Sequence, residues 1–286
     1  MDAAPQAAGD ARRWKDLRKR FLSALVLGPS ALGCIWLGAE AFTGMVALAV
    51  AVLAWEWVHL CGRRVRVFPG LAVPLAVLAA GTLAVENHPR WALAVLFAGF
   101  VATWAGARRM GSRLTQPAGR LAAGVLYIGL AGIALIELRH DTDAGMANVF
   151  FVFLVVWASD IGAYAAGRSF GGPKLAPSVS PNKTWSGAAG GLVAAILVGT
   201  AVALPFTPGA SLLAIAVVAA LIGVAAQAGD LLESAIKRHF RVKDTSSLIP
   251  GHGGLLDRLD GVLAAAPVAA LLSFALGYGR TIWSWG

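Results

Sequence analysis

Residues 41–60 read AFTGMVALAVAVLAWEWVHL. From Met45 to Trp55 every side chain is apolar, and the whole segment has the roughly 20 residues that a helix needs to cross a hydrocarbon core about 30 Å thick. The segment therefore predicts a membrane-crossing helix. Glu56 interrupts it and is open to two readings, pairing with a neighbouring helix or support of a site elsewhere; Glu40 at the other end says less.

Working outward, a first apolar run occupies residues 21–39, directly after a polar stretch that carries Arg12, Arg13, Lys15, Arg18, Lys19 and Arg20. Residues 1–20 read as a basic cytoplasmic anchor. A cleaved signal peptide is the rival, since Ala39-Glu40-Ala41 has the small-x-small form of a cleavage site, but the run before it is span-sized. Downstream, apolar segments recur at 71–85, 91–107, 121–136, 146–167, 188–204, 211–228 and 262–278. The expected fold is all-α, a polytopic integral membrane protein with about nine transmembrane helices, the third and ninth of them short. Gly129, Gly132, Gly190 and Gly191 suit close helix packing in lipid.

Composition agrees: 58% of the 286 residues are hydrophobic and 14% charged, with a mean hydropathy of +0.70. A net charge of +9 and a pI near 10.3 would suggest a nucleic-acid partner in a soluble chain. No basic soluble domain exists here to carry one, and in a membrane protein the excess sets topology and meets anionic headgroups. Cys34 and Cys61, the two cysteines, fall near opposite ends of consecutive apolar segments and predict no disulfide. With the N-terminus inside, the tail and the segments 61–70, 108–120, 168–187 and 229–261 share the cytoplasmic side. That side then holds 21 of the 24 Lys and Arg, leaving Arg90, Arg139 and Arg280 outside. The domains expected are the tail at 1–20, N-terminal membrane helices at 21–145, and a catalytic membrane domain at 146–286 with cytoplasmic polar segments 168–187 and 229–261.

The chemistry concentrates in that last segment, which contains Asp230, Glu233, Lys237, Arg238, Arg241, Lys243, Asp244, Asp257, Arg258 and Asp260, with His239 and His252. Polarity for solubility alone is the bland account, but the order of the residues argues against it. From Asp230 a helix continues inward from the eighth span, with Asp230, Ser234, Lys237 and Arg241 on one face. A carboxylate, a hydroxyl and cations in that order suit a metal ion beside phosphate oxygens. Pairing of Glu233 with Lys237, four residues on, accounts for part of the pattern as well. Pro250-Gly251-His252-Gly253-Gly254 then predicts a tight turn with exposed amides, a device for cradling anions. It leads into Asp257-Arg258-Leu259-Asp260, whose carboxylates fall on adjacent parts of one helical face beside an arginine. That arrangement suits a magnesium-nucleotide complex.

A second polar cluster runs from Asp160 through Gly162-Ala163-Tyr164 and Arg168 to Ser180-Pro181-Asn182-Lys183-Thr184-Trp185-Ser186-Gly187. Asp160 lies within an apolar run, where a carboxylate is costly unless paired or wet. It is a functional candidate, with a helix-packing hydrogen bond as the structural alternative.

Ser234-x-x-Lys237-Arg238-x4-Lys243-Asp244, followed by Pro250-x-His252-Gly253-Gly254-x-x-Asp257-Arg258-x-Asp260, resembles the signature of the phosphatidate cytidylyltransferases. Gln227-x-Gly229-Asp230-Leu231-x-Glu233-Ser234 and the region from Asp160 to Thr184 are similar to the same family, so the likeness covers roughly residues 155–275. The first 150 residues share its hydropathy and little else. One departure is plain: the family commonly has Ser-Pro-Lys-Lys-Thr-x-Glu-Gly, where this chain has Asn182 and Ser186.

The resemblance implies a homodimeric, all-helical enzyme of a bacterial inner membrane, with magnesium and CTP in a cavity facing the cytoplasm. It implies that Asp230 and Asp257 hold the metal, Asp160 being a further candidate. Asp230, Asp257, Lys237 and Arg258 are then expected to carry catalysis. Ser180, Lys183, Thr184, Ser234, Arg238, His252, Gly253, Gly254 and Asp260 are expected to bind substrate. The implied reaction joins CTP to phosphatidic acid in the bilayer. A relative acting on another lipid phosphate or lipid alcohol, and a secondary transporter, are the alternatives. The concentration of charge in one cytoplasmic segment argues against a transporter, whose sites lie near the midplane.

Overall fold

A computed structural model describes residues 25–110, 117–141, 143–249 and 253–284. The basic tail, the proposed cytoplasmic anchor, and His252 lie outside them. The described residues form nine helices: α1 (Leu25–Leu37), α2 (Ala39–Leu60), α3 (Ala72–Val85), α4 (Pro89–Arg109), α5 (Ala118–His140), α6 (Gly145–Phe170), α7 (Trp185–Phe206), α8 (Leu212–Phe240) and α9 (Leu256–Leu276). A two-stranded antiparallel hairpin, β1 (Lys174–Ala176) and β2 (Ser180–Thr184), joins α6 to α7, and the described residues are otherwise almost entirely helices and their connections.

Seven of these helices, α2 and α4 to α9, are individually long and apolar enough to cross a membrane. The expectation of about nine spans is therefore slightly generous. At 1.5 Å per residue the 14 residues of α3 cover about 21 Å, short of the hydrocarbon thickness.

Local chemistry sets the helix ends. The Thr184 hydroxyl accepts from the Gly187 amide and starts α7, and Ser211 does the same for α8 through Ala214. Pro89 opens α4. Gly171, at φ 59°, stops α6 and turns the chain into the hairpin. Helix α8 runs unbroken through 29 residues, so the helical continuation past Asp230 expected from the pattern is present. Arg241, expected on its polar face, is instead the left-handed residue that ends it.

One continuous apolar core extends from Ile35 to Trp283 and draws on all nine helices. Small residues let the helices approach. A side chain at Gly129 would strike Leu96 of α4, one at Gly132 would press on Val50 of α2, and one at Gly190 would strike Ala166 of α6. At Gly191 it would come within 2.8 Å of the Gln227 amide of α8 and of the Ser159 carbonyl. At the far end from the hairpin, residues 277–284 fold back onto the bundle. Asp141 accepts from the Gly279 amide, Asn148 accepts from Ile282, and the Trp283 ring is fully buried against Phe151.

Candidate active site

The C-terminal part of α8 contributes Asp230, Glu233 and Lys237, three or four residues apart and so on one helical face. The start of α9 faces them. Gly229 makes the approach possible, since a Cβ there would collide with the Asp260 carbonyl and come within 2.7 Å of Ala264. As a result carboxylate oxygens of Asp230, Glu233 and Asp260 lie within 4.8 Å of one another.

Lys237 crosses between the two helices. Its Nζ is 2.6 Å from Glu233 Oε2 and 2.9 Å from Asp257 Oδ1. The Glu233–Lys237 pair legible in the sequence is formed, but Glu233 is fully buried, Lys237 is only partly exposed, and the pair belongs to a larger cluster rather than a solvated helix surface. Asp257 is buried too. Its Oδ2 accepts from the Thr245 amide and hydroxyl, both at 2.9 Å, and from the Gly254 amide at 2.8 Å.

These bonds fix the described residues on either side of the glycine turn. Gly253 has φ 83°, and its carbonyl accepts from the Ile249 amide at 2.8 Å. At Gly254 a side chain would collide with the Thr245 hydroxyl and come within 2.7 Å of Glu56 Oε1. Glu56, left open by the sequence, belongs here. Its carboxylate accepts from the amides of Leu255 and Leu256 and from the Ser246 hydroxyl.

The hairpin bounds the other side. Lys183 of β2 places its Nζ 2.5 Å from Asp230 Oδ2. Arg238 of α8 donates to the Val179 carbonyl at the hairpin turn, so this predicted phosphate ligand also ties the hairpin to α8. Ser186, which replaces the family glutamate, hydrogen-bonds Thr184 and the Gly171 carbonyl and closes the base of the hairpin. Asp160, on α6, and Arg258, exposed on α9, lie within electrostatic reach of Asp230 and Asp260. Ser180 is on β2 and Ser234 on α8, both partly exposed near the same cluster.

The structure thus gathers Asp160, Lys183, Asp230, Lys237, Asp257, Arg258 and Asp260 around one centre. Sequence reasoning left Glu233 as a helix ion pair with Lys237 and passed over Thr245. Glu233 had a signal, its three-residue spacing from Asp230, which puts both carboxylates on one face. Thr245 had none, because its role depends on a turn that only packing forms.

The donor set fits a divalent cation. Five carboxylates, Asp160, Asp230, Glu233, Asp257 and Asp260, face three cations, Lys183, Lys237 and Arg258, which leaves a formal negative surplus. Glu233 Oε1 is buried with no hydrogen-bond partner among the described residues. Buried carboxylates need compensation, and oxygen-only donors suit a hard ion such as magnesium.

Comparison with known proteins gives the family. The phosphatidate cytidylyltransferase of Brucella suis is 40% identical over 258 residues, which is 90% of this chain and 93% of that protein. That of Pseudomonas aeruginosa is 40% identical over 272 residues, covering 92% and 99% of the two chains. That of Haemophilus influenzae is 33% identical over 292 aligned positions, covering 90% and 99%. Residues 18–276 match the model of the cytidylyltransferase family, a range that takes in every described helix and the acidic centre alike, and the chain belongs to that family.

Proposed function

We propose that the chain is a phosphatidate cytidylyltransferase, converting CTP and phosphatidic acid to CDP-diacylglycerol and pyrophosphate. The observation that carries this reading is the buried cluster in which Lys237 bridges Glu233 and Asp257 beside Asp230 and Asp260. Relatives that cover nearly the whole chain bear the same name.

A phosphate oxygen of phosphatidic acid attacks the α-phosphorus of CTP. The new P–O bond forms as the bond to the α,β-bridging oxygen breaks, and pyrophosphate departs with that electron pair. The attacking group is already an anion, so no protein nucleophile is needed; the task is to bring anions together and neutralise charge on the leaving group. Asp230 would hold magnesium together with Glu233 and Asp260, whose carboxylate oxygens lie close to its own, with Asp160 a further candidate. Asp257, expected from the resemblance to share the ion, would do so only through Oδ1 beside Lys237, since its Oδ2 already accepts from Thr245 and Gly254. The ion would supply charge neutralisation at the phosphates. Lys237, held between two carboxylates, and Arg258 present positive charge to the leaving group. Gly253 and His252 are the turn residues proposed to meet the nucleotide phosphates, whereas the Gly254 amide is taken by Asp257 and would act by holding that carboxylate in place. Ser180, Lys183, Thr184, Ser234 and Arg238 border the substrates from the hairpin side.

The site lies at the end of the bundle where α6 ends and α7 begins, so acyl chains remain in the bilayer while CTP arrives from water. The distribution of basic residues supports a cytoplasmic site and N-terminus in a bacterial inner membrane. The family resemblance supports a homodimer.

The test is incorporation of radiolabelled CTP into lipid by the purified protein in detergent, with phosphatidate, diacylglycerol or no lipid as acceptor. Magnesium-dependent labelling with phosphatidate alone is expected. Labelling with diacylglycerol instead would assign a lipid-alcohol acceptor, and none with either would overturn the reading.

A further inference from the structure

Helix α9 begins without a cap of its own: Leu255, the residue before it, has no side-chain oxygen to accept from the first-turn amides. The acceptor comes from α2, about 200 positions away in the chain. Glu56 Oε1 accepts from the Leu255 amide and Oε2 from the Leu256 amide, each at 2.8 Å, and Oε1 also accepts from the Ser246 hydroxyl at 2.6 Å. Glu56 is fully buried and makes no salt bridge among the described residues. A carboxylate kept merely for helix pairing would face a cation. This one faces the donors of a single turn.

The residue after Leu256 is Asp257. Its own Oδ2 accepts from Thr245 and Gly254, so Thr245–Ser246 and Gly254–Leu256 are fastened twice, by Asp257 and by Glu56. A negative group at the amino end of α9 also complements the helix dipole. Gly254 lies between the two fastenings, where a side chain would meet both Thr245 and Glu56.

We propose that Glu56 is a positioning residue for nucleotidyl transfer. It holds Ser246 and the start of α9 at a set place, so that Asp257 meets Lys237 and keeps its bonds to Thr245 and Gly254. The inference rests on the activity proposed above and gives the N-terminal helices, which carry no signature motif, a defined part in it. Glutamine at 56 has one acceptor oxygen and would turn an NH₂ group toward backbone donors. The turn should loosen while the fold persists.

The experiment compares the purified full-length wild type, Glu56→Gln and Trp283→Ala by hydrogen exchange and by kinetics with CTP and phosphatidate. Trp283 is buried at the opposite end of the bundle and serves as a purely structural control. In Glu56→Gln, amide exchange across residues 245–257 should rise about tenfold with other helices unaltered. The kcat should fall about tenfold or more and the half-activating magnesium concentration should rise, with KM for lipid changed less than about threefold. Trp283→Ala should show neither the local exchange change nor the magnesium shift.

Wild-type exchange and kcat in folded Glu56→Gln would overturn the proposal. So would an exchange increase spread over the whole bundle as in Trp283→Ala. If Glu56→Gln does not fold, Ser246→Ala, which deletes one of the three donors, takes its place. A smaller local rise in exchange with reduced kcat supports the clamp, and unchanged exchange and kinetics refute it. A wild type that makes no liponucleotide would refute the activity, while the exchange data would still decide whether Glu56 holds the turn.

Discussion

Lys183 of the β-hairpin meets Asp230 of α8 with its Nζ 2.5 Å from the carboxylate, so a residue from the α6–α7 connection supplies the countercharge of a residue on α8. The pair is only partly shielded, with side-chain exposures of 24% and 35%. It is accessible to substrate and ions.

Lys183→Met should therefore act on nucleotide use more than on folding. We expect kcat/KM for CTP to fall about 10- to 100-fold, roughly 1.4 to 2.7 kcal/mol of lost transition-state stabilisation, with thermal stability in detergent little changed. Steady-state kinetics with varied CTP check this. A CTP KM and kcat both within about twofold of wild type would remove Lys183 from the site.

Lys237 and Asp257 should behave as a unit. Asp257→Asn keeps the shape but halves the acceptor capacity that Thr245, Gly254 and Lys237 use, and should abolish nearly all magnesium-dependent product. The double variant Asp257→Asn/Lys237→Ala should be far less impaired than the product of the two single losses, because each partner has already lost its role. Asp230→Ala with Lys237→Ala should couple more weakly, since the ion pair of Asp230 is to Lys183. Equal coupling in both cycles, measured by kcat/KM, would contradict this arrangement.

Trp283→Ala should destabilise the bundle by about 3–5 kcal/mol, the range for removing a large buried aromatic. Its ring packs at 4.6 Å from Phe151, and its indole N–H donates to Thr207. Thermal unfolding in detergent should show the loss, with KM for CTP unchanged.

Topology can be read with single cysteines. Ser247→Cys is exposed beside the acidic centre, and Glu86→Cys is exposed in the α3–α4 connection. In a background lacking Cys34, a membrane-impermeant thiol reagent applied to sealed inverted vesicles should label position 247 and spare 86, and intact cells treated from outside should show the reverse. Cys61 can stay, since burial pushes its thiol up to about 12 and leaves little thiolate to react. Labelling of position 247 from outside would put the site on the wrong side for CTP.

The sequence by itself determined what is local or linear. Uninterrupted apolar runs such as 41–60 specify membrane helices because lipid demands internally satisfied backbone, and that demand is written residue by residue. The skew of basic residues gives an expected orientation, which the thiol labelling tests, and the signature from Ser234 to Asp260 names the family. The tertiary structure decided which groups meet. Glu233 reads along the chain as a surface ion pair, and only the approach of α9, permitted at Gly229, makes it a buried member of the acidic centre. Lys183 reaches Asp230 because the hairpin folds over α8. Glu56 caps a helix that begins some 200 residues later. Hydropathy and spacing report short-range preferences, whereas a buried carboxylate takes its role from the donors that distant segments bring to it.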